Sequence, residues 1–362
     1  MRIEIAKNVI EHLKKFPFGY PTSPDNDEWK LLEVPFSLTD QEGEILCQLM
    51  PYSEHIDDIV KRIGRSKDEI LPLLDGLLQK TWLLRTGTRE NGYYMALTWG
   101  PGAMELQMPW LNKELMELYR KFSPLDQNHK PTELIPHFRV IPRESAIPNS
   151  SAVLPSEMVS HLIEQADDDE IAVTECICRK MEKIRGRGCS APVEDQCLFL
   201  GAFAITVVEI KAGRKITKDE AKKKIKGAQE LGLVHQANAN ARPLAICSCC
   251  TCCCGTLRPL IAGSPQPSLK SNFHSKLDIE KCKGTCPECI KICPAKALNL
   301  DKKNLRPSID LNKCIGCGLC VTACPEKALK LQRKEKTFVY PDTWDDYLRL
   351  RAIQSGRTEF YK

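Results

Sequence analysis

The chain has 362 residues, 42% hydrophobic, 27% charged and only 6% aromatic, with a net charge of +5 and nineteen cysteines. That length allows two or three domains with cores of their own, and so mild a charge excludes any general claim on nucleic acid or acidic membranes. Cys47 alone precedes residue 176; the other eighteen cysteines fall between Cys176 and Cys324.

The opening stretch "MRIEIAKNVIEHLKKFPFG" has no apolar run followed by a small-residue cleavage site, so no signal peptide is expected. The longest apolar stretch, Cys197 to Ile210, is too short to span a bilayer, so no membrane insertion is expected. Many clustered thiols without an export signal point to a reducing cytoplasm and an anaerobic or well-shielded setting, where such cysteines bind metal rather than pair.

Residues 36–100 read as three helices and a hairpin. "SLTDQEGEILCQLM" offers a cap at Ser37 or Thr39 before Ile45, Leu46 and Leu49. "SEHIDDIVKRIG" makes a second helix closed by Gly64. A third, capped by Ser66, carries Ile70, Leu73, Leu74, Leu77 and Leu78 on one face. "WLLRTGTRENGYYMAL" predicts a hairpin turning at Asn91-Gly92. The unit resembles a winged helix-turn-helix, whose third helix in many proteins enters the major groove. Here that helix sets Lys67 and Lys80 against Asp68, Glu69 and Asp75 and carries Pro72 and Gly76, which argues against nucleic acid as a partner. Arg62, Arg65, Arg85 and Arg89 remain as possible backbone contacts.

From Pro101 to about Ser156 the chain is proline-rich (Pro101, Pro109, Pro124, Pro131, Pro136, Pro142, Pro148, Pro155), interrupted by one helix, "LNKELMELYRKF". It reads as an extended connector wrapping its neighbours. A helix and then a strand, "IAVTECICR", lead into the cysteine-rich half.

Ten thiols occupy residues 176–254. As strand residues, Cys176 and Cys178 would share a face, with Cys189 on a loop and Cys197 at the start of an apolar helix; these four could surround one centre. "ICSCCTCCCG" puts six cysteines into eight positions, too close together for disulfides to be a good answer. If extended, it turns Cys247, Cys249 and Cys253 one way and Cys250, Cys252 and Cys254 the other. One segment would then serve two centres. Ten thiols suffice for two further cubanes or one larger cluster; additional iron–sulfur is favoured, with zinc and free redox thiols as alternatives. Between the two groups a helix capped by Thr217 and Glu220 carries Lys222, Lys223, Lys224 and Lys226. With Arg179, Lys180, Lys183, Arg185 and Arg187 these form a solvated face, a docking patch for an acidic redox partner, or compensation for anionic clusters. His235 reads as structural.

Near the C-terminus, "CIGCGLCVTACP" spaces Cys314, Cys317, Cys320 and Cys324 as C-x2-C-x2-C-x3-C-P, and "CKGTCPECIKICP" repeats it at Cys282, Cys286, Cys289 and Cys293 with one extra residue after Cys282. "CPAKAL" answers "CPEKAL", and "LDIEKC" and "IDLNKC" read as repeated lead-in strands. The region resembles the bacterial-type ferredoxins with two [4Fe–4S] clusters. The resemblance implies that the fourth cysteine of each run ligates the other cluster: Cys282, Cys286, Cys289 and Cys324 for one, Cys314, Cys317, Cys320 and Cys293 for the second. Gly316 and Gly318 would let backbone N–H groups approach the inorganic sulfurs, and the proline after each fourth cysteine would turn the chain into a helix bearing "KAL". As a whole, the chain resembles a group of cytoplasmic iron–sulfur proteins of anaerobes with an N-terminal winged-helix-like unit.

The expected fold is α+β and multidomain: a winged-helix-like unit (1–100), a connector (101–156), a cysteine-rich α/β metal-binding domain (157–270), a ferredoxin-like dicluster domain (271–332) and a tail helix (333–362) that packs back or binds a partner. The expected function is low-potential electron transfer through the two clusters, to or from a further cysteine-ligated cluster and a redox partner protein. The alternatives are an iron–sulfur oxidoreductase with a substrate-reducing middle cluster, and a redox-sensing regulator. No G-x-G-x-x-G or G-x-x-x-x-G-K-[ST] motif points to nucleotide chemistry. No catalytic residue is assigned.

Overall fold

The computed structural model describes residues 1–21, 25, 27–33, 37–97, 102–122, 134–148, 153–263, 268–284, 286–301 and 306–361. Pro101, Pro124 and Pro131 of the proline-rich stretch lie outside them. Helix α1 (Ile3–Lys14) buries Ile5, Val9, Ile10 and Leu13, an amphipathic stripe that begins the largest apolar core. Helix α2 (Asp40–Leu46) starts at Thr39 and not at Ser37. The Thr39 hydroxyl accepts from the Glu42 N–H at 3.2 Å, while the Glu42 carboxylate accepts from the Thr39 N–H at 2.7 Å, a reciprocal capping box. Helix α3 (Ile56–Ile63) stops at Gly64 in the left-handed region. Helix α4 (Lys67–Gln79) repeats the box with Ser66 and Glu69. It buries Leu71 along with Ile70, Leu74, Leu77 and Leu78, whereas Leu73, expected on that face, is only half-buried.

Strands β1 (Glu54–His55), β2 (Leu83–Gly87) and β3 (Gly92–Ala96) form an antiparallel sheet in the order β1-β3-β2. The hairpin turns over residues 88–91, slightly ahead of the expected Asn91-Gly92, because Gly92 already pairs with Gly87. Arg85 of β2 meets Glu209 at 2.7 Å, which fastens the hairpin to the cysteine-rich region.

The proline-rich stretch holds α5 (Ala103–Leu106), α6 (Lys113–Lys121) and a fully buried strand, β4 (Phe138–Ile141). This corrects the expectation of a connector that only wraps its neighbours. β4 belongs to a seven-stranded sheet with β5 (Ile171–Thr174), β6 (Cys197–Leu200), β7 (Arg214–Lys215), β8 (Val234–Asn238), β9 (Ala245–Cys249) and β10 (Ser268–Leu269). The order is β10-β4-β8-β9-β6-β5-β7, antiparallel except for β10 on β4. Alternation splits the sheet's two faces. One face carries Ile171, Val173, Leu198 and Ile246 under α7 (Val159–Glu164) and α10 (Lys218–Glu230). The other turns Cys197, Phe199, Ala245 and Cys247 toward the main core and α9 (Ala202–Glu209). Helix α8 (Ile177–Ile184) follows β5, and α11 (Leu257–Ile261) follows the cysteine-dense turn.

In the C-terminal region β11 (Phe273–Leu277) pairs with β14 (Leu329–Arg333), and β12 (Leu298–Asp301) with β13 (Arg306–Ile309). Short helices α12 (Glu288–Ile292) and α13 (Leu319–Thr322) lie between. Helix α14 (Trp344–Ser355) packs back on the N-terminal part. Trp344 stacks on Tyr347, whose hydroxyl lies 3.0 Å from His137 Nδ1, and Phe18 completes the aromatic group. Helix and strand are thus mixed around a cysteine-rich middle. No helix among the described residues is long and apolar enough to cross a membrane.

Candidate metal centres

Each middle cysteine run sits where a strand gives out. β5 stops at Thr174, so Cys176 is not a strand residue: its N–H donates to the Val193 carbonyl at 2.7 Å, and it caps α8 with Cys178 in the first turn. The extended "TECICR" expected from the sequence is therefore a turn into a helix. Cys197 opens β6 and not the apolar helix, since Gly201 separates that strand from α9. β9 ends at Cys249 and the chain reverses, with the Cys254 N–H reaching the Cys250 carbonyl at 3.4 Å.

The reversal re-sorts the thiols. Cys254, not Cys253, joins Cys247 and Cys249, while Cys253 joins Cys250 and Cys252. Cys189 leaves its expected companions for that second set, where the four Sγ atoms all lie within 4.8 Å of one another. The remaining six close a ring: Cys176 neighbours Cys178 and Cys197, Cys178 neighbours Cys254, and Cys249 and Cys247 complete the circuit back to Cys197. Sheet register helps set this ring, because Cys197 and Cys247 are direct partners across β6 and β9. Gln236 of β8 donates to Cys249 Sγ at 3.1 Å and lies 3.6 Å from Cys254 Sγ.

Electrostatics favour the thiolate at Cys176 and Cys254, whereas neighbouring thiols and burial hold Cys178, Cys197, Cys247 and Cys249 well above the usual thiol range. The thiols of Cys178 and Cys197, with the Arg179 guanidinium, hold Cys176 well below the usual thiol range. Cys178 and Cys249 do the same for Cys254, helped by Thr256 and by the Leu257 N–H at 3.3 Å. Arg179 is 2% exposed and donates to the carbonyls of Pro192 (2.9 Å) and Ser248 (2.7 Å). Burial opposes its charge, and the thiols of Cys176, Cys250 and Cys249 outweigh that, so Arg179 stands between the two groups as their countercharge. It is not part of an exposed basic face. Much of the rest of that face is paired: Lys180 with Glu175, Arg185 and Arg187 with Glu182, Lys222 with Glu164, and Lys224 with Asp195. Glu105 of α5 is half-buried near the ring; desolvation, and then the Cys176 and Cys254 thiols, raise its pKa. His235 is buried beside Ser248 Oγ at 3.3 Å, and burial lowers its pKa to about 4.

In the C-terminal region Cys293, Cys314, Cys317 and Cys320 line one pocket, its other walls apolar apart from Ser275. The fourth cysteine of the first run thus sits with the first three of the second. Cys282, Cys286, Cys289 and Cys324 form the reciprocal group: burial, then the neighbouring Cys286, Cys324 and Cys282, pushes Cys289 up to about 11. Of the three residues between Cys282 and Cys286, Thr285 lies outside the described residues. In both halves a backbone N–H four residues on donates to the fourth cysteine's sulfur. The Ala297 N–H donates to Cys293 Sγ at 3.2 Å and the Ala328 N–H to Cys324 Sγ at 3.3 Å. Each "KAL" enters a strand and not a helix, because Lys296 and Lys327 take positive φ (49° and 50°) and redirect the chain. The short helices come before the fourth cysteines. Soft thiols, N–H donors aimed at sulfur and apolar walls suit an iron–sulfur cluster.

Residues 307–330 match the 4Fe-4S binding domain. That span holds Cys314, Cys317, Cys320 and Cys324, and it supports iron–sulfur binding in a ferredoxin-like region. No curated protein and no solved structure matches the chain. Arg179 had a visible signal, since it follows Cys178 directly in "CICR". Glu105 and Gln236 had none: only the fold brings them to the ring.

Proposed function

We propose that the protein is an iron–sulfur electron carrier. Two [4Fe–4S] clusters, one on Cys282, Cys286, Cys289 and Cys324 and one on Cys293, Cys314, Cys317 and Cys320, would exchange low-potential electrons with a further cluster on the six-thiol ring, and through it with a partner oxidoreductase. The observation that carries this reading is continuity of packing. One apolar cluster contains Cys289 and Cys320 with Cys293 and Cys324 against it. Another contains Cys314 and Cys317 together with Cys249 and Cys254 of the ring. The three thiol groups therefore stand in series with packed, water-excluding side chains between neighbours. In this reading the protein works in the cytoplasm of an anaerobic cell.

A substrate-reducing role for the ring is the second reading, and Glu105 favours it. A half-buried carboxyl held toward its protonated form is suited to deliver a proton where an electron arrives. A DNA-reading regulator is disfavoured. Arg62, Arg85 and Arg89 are already paired with Glu54, Glu209 and Asp75, and the exposed side of α4 shows Asp68, Glu69 and Pro72.

Iron and acid-labile sulfide in anaerobically purified protein, with electron paramagnetic resonance of the reduced sample, test the proposal. About eight irons and eight sulfides from the C-terminal region, and more from the ring, are expected, with interacting cluster signals. Four or fewer irons without sulfide would remove the basis of the reading.

A further inference from the structure

The four thiols of Cys189, Cys250, Cys252 and Cys253 differ from the other groups in spacing. Cys189 Sγ is 3.8 Å from Cys250 Sγ and 3.6 Å from Cys253 Sγ, and Cys253 Sγ is 3.8 Å from Cys252 Sγ. All six pairs fall within 4.8 Å. Four sulfurs held about 2.3 Å from one tetrahedral ion lie about 3.8 Å from each other. A cubane spreads its thiolates further, because each sits outside its own iron rather than around a shared atom. The spacing is that of a single ion.

Position supports the same conclusion. The packed clusters that join the ring to the two C-terminal groups contain none of these four cysteines. Cys250 and Cys253 belong instead to a small separate cluster with Ala228 and Leu233, and Cys189 and Cys252 are exposed. The group stands beside the line of redox centres and open to solvent, a poor place for a relay. It does hold the loop containing Pro192 and Val193 against the turn after β9. That loop supplies the carbonyls that accept from Arg179 and from the Cys176 N–H.

We infer that Cys189, Cys250, Cys252 and Cys253 bind one zinc ion as a closed structural site, distinct from the iron–sulfur centres, which staples the Cys189 loop to the Cys250–Cys253 turn. Four thiolates with no open position match a structural rather than a catalytic zinc site.

The test is zinc, iron and sulfide per chain in the full-length protein, purified anaerobically without added metal, for wild type, Cys189→Ser and Cys252→Ser. One zinc per wild-type chain is expected, absent from both variants, with iron and sulfide unchanged; Cys47→Ser should keep its zinc. Zinc-edge X-ray absorption of the wild type gives an answer even if the variants fail to fold: four sulfur neighbours at about 2.3 Å support the site. Wild-type protein without stoichiometric zinc, a zinc shell containing oxygen, or variants that lose iron while retaining zinc would each overturn it.

Discussion

Gly316→Ala puts the C-terminal pocket under a defined load. Gly316 has φ 70°, and a Cβ there would overlap the Phe273 carbonyl oxygen and Ser271 Oγ. The Ser271 hydroxyl now donates to the Gly316 carbonyl at 2.8 Å and accepts from the Phe273 N–H at 3.2 Å. The left-handed backbone costs an L-residue about 1–2 kcal/mol. Forcing a methyl into packed surroundings adds about 1–3 kcal/mol, and the disturbed Ser271 bond about 1 kcal/mol. The sum is about 3–6 kcal/mol, a large part of a typical stability of about 5–15 kcal/mol. Relief is available only by moving the Cys314–Cys320 loop off β11, which opens the pocket around Cys317. Gly232→Ala is the control: its φ is 72°, but nothing lies within 4 Å of the added carbon, so it should cost only the backbone share of about 1–2 kcal/mol. Anaerobic iron and sulfide assays with thermal melting separate the two. Gly316→Ala should lose about four irons and melt several degrees below the control, which should keep its full iron. A Gly316→Ala protein with full iron and the melting point of Gly232→Ala would refute the reasoning.

Paired cysteine variants test how the two C-terminal groups share ligands. Cys293→Ser with Cys314→Ser should lose about four irons and Cys314→Ser with Cys324→Ser about eight; the reverse order of losses would show that each run keeps its own fourth cysteine. Arg179→Met removes the countercharge between the ring and the four-thiol group and strands two carbonyl acceptors, a change that costs about 3–5 kcal/mol in buried pairs; an unchanged anaerobic melting point would contradict that role. His235 predicts a pH dependence. Its folded pKa of about 4 lies below the ordinary 6.5, so only the unfolded chain takes up the proton between those values, and stability falls as pH drops. Urea titrations from pH 6.5 to 5.5 should lose up to about 1.4 kcal/mol per pH unit from this residue, a slope that His235→Leu should flatten.

What could be read from the sequence was what local chemistry fixes. Thr39, Ser66, Gly64 and Thr217 announce helix ends because a cap needs only its own next three or four residues. The two C-terminal runs announce themselves because three ligands of each group lie on one short loop. The middle thiols resisted for the opposite reason. Their grouping depends on where β5 and β9 end and on the register that faces Cys197 with Cys247, neither of which is encoded within a few residues. Treating 245–254 as one strand exchanged Cys253 with Cys254, and nothing within that decapeptide marks the reversal. Helix α1, by contrast, is legible in the spacing of Ile5, Val9, Ile10 and Leu13.

Helix α14 completes the core that α1 begins, through Trp344, Tyr347 and Phe18 and the His137 contact. During synthesis, residues past 344 must leave the ribosome before that core can close, and by then every cysteine of the chain has emerged. The thiols therefore emerge before that core can close. Metal loading and closure of the core are thereby linked in time.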